Sequence, residues 1–277
     1  KFDFSRLIRC DGRSIEVDTD LVNTIGLRRY KQDGIGYYFG KKMVKWLGPK
    51  REGDEIDDPY VHYAACMQKL LEDVSLQLIE TYLGDILRDT GKICFAGGVA
   101  LNVKLNQRII DLPHVKELFV QPAASDAGTA IGAATFLANE MGQKIETLEH
   151  VYLGPSYTTE ECIDACKKHS KNPSWEIIGN APETAARILA EGSPVAWFQG
   201  RMEFGPRALG NRSILGDPSR AGIAERINSQ IKYRERWRPF CPSILDSAAR
   251  DILQTDHSAP FITFTFSVAE NRKWRIS

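Results

Sequence analysis

KICFAGGVALN, Lys92–Asn102, reads as a short apolar strand at Ile93–Ala96 that runs into two glycines and then a helical segment ending near Ile110. ELFVQPAASDAGTAIGAATFLANE, Glu117–Glu140, repeats the arrangement with a strand at Leu118–Val120, a small-residue turn carrying Asp126, and a helix rich in Ala and Gly. Two strand, turn, helix units in succession predict an α/β layer architecture. Their turns fall at the C-terminal ends of the strands, where open sheets of this class bind ligands.

Upstream, Asp58 to about Asp89 carries apolar residues at Val61, Ala64, Ala65, Leu71, Val74, Leu78 and Tyr82, a three-and-four spacing that predicts a long amphipathic helix stopped by Gly91. His62 lies on or near that face, where a packed or capping role is expected. Downstream, YLGPSYTTEE breaks the pattern at Gly154 and Pro155, and Thr158 with Glu161 has the spacing of a capping box. This seam divides the chain into residues 1–153 and 154–277. The second region is expected to hold helices near Thr159–His169 and Pro182–Glu191, the strand SPVAWFQG, a helix begun near Pro218, and a strand-like run at Phe261–Val268.

The 277 residues, 43% hydrophobic and 26% charged, suffice for an ordinary globular core. With 36 basic and 36 acidic residues, no overall field draws the chain to nucleic acid or anionic lipid. No apolar run approaches the roughly 18 residues of a membrane span, and KFDFSRLIRCDGR is too charged for a signal peptide, so a cytoplasmic location is expected. The six scattered cysteines suit reduced thiols. Cys162, Cys166 and His169 share a helix face, but a tetrahedral metal site there lacks its fourth ligand.

Three places invite chemistry. Gly97 and Gly98 remove side chains where a strand meets a helix, letting backbone N–H groups approach an anion, or simply making a tight turn. The stretch lacks the G-x-G-x-x-G spacing and the Lys and Ser/Thr of a P-loop. Asp126, between Ala124, Ser125, Ala127 and Gly128, is open to a metal or ligand and is equally placed for helix N-capping. Finally, Arg201–Arg238 holds nine basic residues, Arg201, Arg207, Arg212, Arg220, Arg226, Lys232, Arg234, Arg236 and Arg238, against four acidic ones, with Phe204, Trp237, Pro239 and Phe240 among them. Arginine forks grip phosphate oxygens two at a time, so the segment reads as a polyanion pocket more readily than as a solvated face or a single-stranded nucleic-acid surface.

GGVALN, QPAASDAGTAIGAA, GRMEFGPRALGNRSIL and IKYRERWRPFCPSIL, in this order and spacing, resemble the O-carbamoyltransferase family that includes nodulation-factor and antibiotic carbamoyltransferases. The resemblance runs from about Asp58 to Val268. It implies the C-terminal half of an actin-like (ASKHA) carbamoyl-transfer domain at 1–153, followed at 154–277 by an incomplete α/β domain like the threonylcarbamoyl-adenylate synthases. It also implies that the synthase-like domain joins carbamoyl phosphate and ATP, with Mg, into carbamoyl adenylate, and that the actin-like domain passes the carbamoyl group to a hydroxyl of a small acceptor. Gly97, Gly98 and Asn102 would then contact the nucleotide. Asp126 would ligate iron or another divalent metal. Arg201, Arg207, Arg212 and Arg238 are assigned to the phosphates, with Lys232 and Arg234 beside them. Related enzymes suggest a homodimer.

The H-x-x-x-H pair that completes the family's metal site is absent, since no two of His62, His114, His150, His169 and His257 are four apart. The resemblance places the first half of the actin-like domain before Lys1 and the end of the synthase-like domain after Ser277. The polypeptide by itself is therefore expected to transfer weakly or not at all. Two other functions fit fewer of the residues: a small-molecule kinase of the actin-like superfamily, which leaves the arginine loop unexplained, and a non-catalytic nucleotide or anion-binding module.

Overall fold

The computed structural model describes residues 3–22, 41–49, 51–53, 57–169, 175–255 and 257–275. Helices and short two-stranded sheets alternate along them, giving a mixed α/β chain. By contacts it divides into two compact units: residues 1–93 with 104–118, and residues 94–103 with 119–277.

The first unit opens with β1 (Ile8–Cys10) and β2 (Ile15–Val17), an antiparallel pair, followed by α1 (Lys41–Leu47). Phe4, Leu7, Leu21 and Met43 form its buried cluster, against which Trp46, Tyr63 and Leu70 pack. Each such side chain removed from water contributes roughly 1.5–3 kcal/mol. The long helix α2 runs Tyr60–Thr90, starting two residues later than the apolar spacing suggested because Pro59 occupies its N-cap position. It stops where expected: Gly91 is left-handed and its N–H returns to the Leu87 carbonyl. His62, at the first turn, pairs with Asp58 at 2.8 Å on an exposed surface.

Strand β3 (Lys92–Phe95) pairs with β4 (Glu117–Val120), and α3 (Val103–Ile110) lies between them in sequence. The chain passes between the units within both strands and at the start of α3. In the first unit, Leu105 and Ile109 of α3 are fully buried.

The second unit continues with α4 (Thr129–Glu140), α5 (Thr159–His169), α6 (Ala181–Ala190), β5 (Val195–Phe198), β6 (Arg212–Leu215), α7 (Ile223–Ile227) and α8 (Asp246–Leu253). The capping box at the head of α5 forms as the sequence predicts: Thr158 N–H donates to Glu161 Oε2 at 2.8 Å, and Glu161 N–H to Thr158 Oγ1 at 3.2 Å. Beyond Pro218 the helix begins later and is shorter than expected, because Gly222 takes a left-handed conformation immediately before α7. The strand expected at Phe261–Val268 does not form. Ile262 sits at φ 55°, outside the β region, and the rings of Phe264 and Phe266 gather instead around His257, 4.6 and 6.1 Å away. Burial among them lowers the His257 pKa. Among the described residues, no helix is long and apolar enough to cross a membrane.

Candidate functional site

Strands β5 and β6 pair antiparallel with Phe198 opposite Arg212, so residues 199–211 form the loop between them. Its organiser is Glu203, 7% exposed. One carboxylate oxygen, Oε1, accepts the N–H groups of Leu209 at 2.7 Å, Asn211 at 2.8 Å and Arg212 at 3.2 Å. Burial alone raises a carboxyl pKa, but here the main-chain donors outweigh it and hold Glu203 below the ordinary glutamate value. The Tyr152 hydroxyl donates to the Leu209 carbonyl at 2.8 Å, which pins the same corner from outside.

Two of the loop's arginines serve the loop itself. Arg201 donates to the carbonyls of Leu153 at 2.9 Å and Gly154 at 3.0 Å. Arg212 donates to those of Gln199 at 2.7 Å and Gly200 at 3.2 Å, and its guanidinium lies 3.5 Å above the Phe198 ring.

A second polar hub organises the next basic stretch. After α7, the π turn Asn228–Lys232 ends at Tyr233, a left-handed residue at φ 48°. Asn228 is fully buried; its amide donates to the carbonyls of Arg236 at 3.1 Å and Arg238 at 2.9 Å, while its Oδ1 accepts from Arg234 Nε at 2.6 Å. Arg234 also stacks 4.6 Å above Phe240, and its pKa is lowered by burial first and by the Arg238 charge second. Arg236 pairs with Glu225 at 3.3 Å and Arg220 with Asp217 at 3.6 Å. Arg226 donates to the Gly192 carbonyl at 3.1 Å. Arg238 is held loosely, 3.8 Å from Glu235.

Seven of the nine cations thus have protein partners. Arg207 and Lys232, both exposed, make no hydrogen bond or ion pair among the described residues. Arg207 lines a small, shallow, open hollow with Ala100, Leu101, Gln121, Pro122 and Phe261–Thr263. That hollow brings the loop to the two turns the sequence singled out. GGVALN folds as a 3-10 turn over Gly98–Leu101 with Asn102 closing it, and the Gly97 N–H donates to the Ala124 carbonyl at 2.7 Å, joining the two turns. Gly98 faces open space.

The small residues around Asp126 have a packing cause: a Cβ on Gly128 would stand 2.4 Å from the Ala123 carbonyl oxygen. Asp126 opens a 3-10 turn, exposed, and its carboxylate caps neither that turn nor α4. One carboxylate is a single metal donor, and no group of three or more His, Cys, Asp or Glu suited to a metal exists among the described residues. These residues alone do not fit a divalent metal, and no chemical step is derived through one.

The family described as carbamoyltransferase N-terminus matches residues 31–135, and that described as carbamoyltransferase C-terminus matches residues 186–277. The chain belongs to the carbamoyltransferase family. It is 34% identical to nodulation protein NolNO of Sinorhizobium fredii, over 84% of this chain and 35% of that protein. It is 35% identical to nodulation protein NolO of Bradyrhizobium diazoefficiens, over 83% of this chain and 43% of that protein. An uncharacterized protein of Synechocystis is 38% identical over 83% of this chain and 39% of its own length. The chain spans under half the length of these relatives.

Sequence reading named Arg207, Gly97 and Gly98 in this region of the chain and passed over Glu203, Asn228, Tyr152, Gln121 and Thr263. Glu203 did leave a signal, as the lone acid inside a loop of glycines and arginines. Asn228 left none, because an asparagine near a helix end is an ordinary cap or turn residue until its burial is known.

Proposed function

We propose that the chain is part of an ATP-dependent O-carbamoyltransferase in which Arg207, with Lys232 and Arg238, receives the anionic reactants. Hydrolysis of carbamoyl phosphate gives carbamate and inorganic phosphate, a carbamate oxygen attacks the α-phosphorus of ATP and displaces pyrophosphate to give carbamoyl adenylate, and a hydroxyl of a sugar or natural-product acceptor, losing its proton, then attacks the carbamoyl carbon as AMP leaves. In this reading residues 154–277 belong to the adenylate-forming part and residues 1–153 to an actin-like (ASKHA) transfer part. The single observation that carries the reading is the unpaired Arg207 guanidinium at a hollow formed with the GGVALN and QPAASD turns.

The chemistry needs fixed positive charge. A guanidinium aimed at phosphoryl oxygens stabilises charge building on the leaving phosphates without reorganising at the moment of reaction. Gly97 and Gly98, both exposed, leave main-chain groups accessible to a nucleotide. Arg201, Arg212 and Arg234 act in this scheme through the main-chain and side-chain bonds that shape the loops.

To test it, the full-length protein is incubated with carbamoyl phosphate, labelled ATP and hydroxylic acceptors. AMP, pyrophosphate and inorganic phosphate with a carbamoylated acceptor are expected. Arg207→Ala is expected to lower kcat/KM about 100-fold, as loss of a charge-assisted contact in the transition state does. ADP with a phosphorylated acceptor would establish a kinase, and ATP binding without turnover a binding module.

A further inference from the structure

Glu203 is buried, its Oε1 gathers three main-chain N–H groups, and yet it is not among the residues that line the hollow at Arg207. The residues it holds, Leu209, Asn211 and Arg212, make up the return arm of the loop. That arm has further ties: the Gly210 N–H donates to Ser213 Oγ at 3.0 Å, the Asn211 amide to the Arg201 carbonyl at 2.7 Å, and Tyr152 to Leu209. Of the loop's donors, Gly205–Ala208 contribute none to this network. They form its apex, and a Cβ on Gly205 would lie 3.4 Å from Ala123 Cβ, so the apex rests against the QPAASD turn. Arg207 sits on that apex.

We propose that Glu203 is a positioning residue whose carboxylate folds the loop so that Arg207 is presented, unpaired, to an anion at the exposed surface beside the hollow. The inference rests on the anion-binding part of the proposed function. Here the main chain saturates Oε1, and Glu203 makes no bond to Arg207. The carboxylate is thereby spent on the main chain and leaves Arg207 free for an outside anion. Substitution at Glu203 should therefore weaken anion binding only while Arg207 is present.

The test is a double-mutant cycle on the full-length protein, with carbamoyl phosphate as the probe and calorimetry as the readout. Arg207→Ala and Glu203→Ala are each expected to raise Kd about tenfold, and the double variant no further than Arg207→Ala alone. Glu203→Gln, which can keep an oxygen at the Oε1 position, is expected to retain most of the affinity and serves if the alanine variant does not fold. Wild-type affinity in Glu203→Ala, or full additivity in the double variant, overturns the proposal. If the wild-type protein binds no carbamoyl phosphate, the functional reading fails, and amide exchange at Leu209, Asn211 and Arg212 decides the rest. Faster exchange in Glu203→Ala supports the loop's dependence on this acceptor, and unchanged exchange removes it.

Discussion

Replacing Asn228 by Ala should cost the second unit about 4 kcal/mol, and the figure follows from its bonds. The side chain makes three: two neutral donations to the carbonyls of Arg236 and Arg238, and one acceptance from the guanidinium of Arg234. Neutral bonds contribute about 1 kcal/mol each and one to a charged group about 1.5–3 kcal/mol. Asn228 is fully buried, so water does not readily replace what is lost. For a protein of this size that is a fall in Tm of roughly 8–16 °C, measurable by circular dichroism or scanning fluorimetry. Asn228→Asp separates the two halves of the interaction. It keeps the acceptor that faces Arg234 but sets an oxygen 2.9–3.1 Å from two carbonyl oxygens where the amide had donated. It should therefore be clearly less stable than the wild type. An aspartate variant that unfolds with the wild type, or an alanine variant that loses under 1 kcal/mol, refutes the view that this side chain holds the 232–238 loop.

The pH dependence of stability should carry a Glu203 signature. Because its folded pKa lies below its ordinary 4.5, its contribution is complete above that value and lost as pH falls through the lower folded one; acid unfolding should be less steep in Glu203→Gln, and equal slopes would remove the effect. Gly128→Ala forces a Cβ to 2.4 Å from a main-chain carbonyl oxygen and should destabilise by about 2–3 kcal/mol in thermal unfolding, as overpacking does. Gly98→Ala meets nothing within 4 Å and should leave Tm within about 2 °C. If the turn receives a nucleotide, Gly98→Ala should nevertheless weaken ATP binding, which calorimetry on the full-length protein measures.

Elements governed by near-neighbour chemistry were legible in the sequence. Gly91 ends α2 because a left-handed C-cap is a local requirement, and Thr158 with Glu161 caps α5 because that bond spans three residues. The run at Phe261–Val268 has strand composition, but a strand needs a partner, and packing on His257 prevailed over propensity. The arginines show the same limit. Composition indicates that 201–238 is basic, yet whether a given guanidinium meets a phosphate or a main-chain carbonyl depends on loop geometry that no spacing encodes.

That distinction bears on how a basic loop becomes a binding loop. A row of free arginines would repel one another and leave the backbone between them without order. In this chain, Arg201, Arg212 and Arg234 are engaged by carbonyl, amide and aromatic groups, so their charge is fixed in place and their donors are used in shaping the chain. Glu203 and Asn228 complete each loop from beneath with buried polar atoms, whose loss is costly because the groups left behind are out of water. Arg207 and Lys232 are what remains unpaired. Lysine in place of Arg212 would retain the positive charge but lose the fork that reaches both Gln199 and Gly200. In such a loop the identity of a residue matters less through its charge than through whether its donors are already taken.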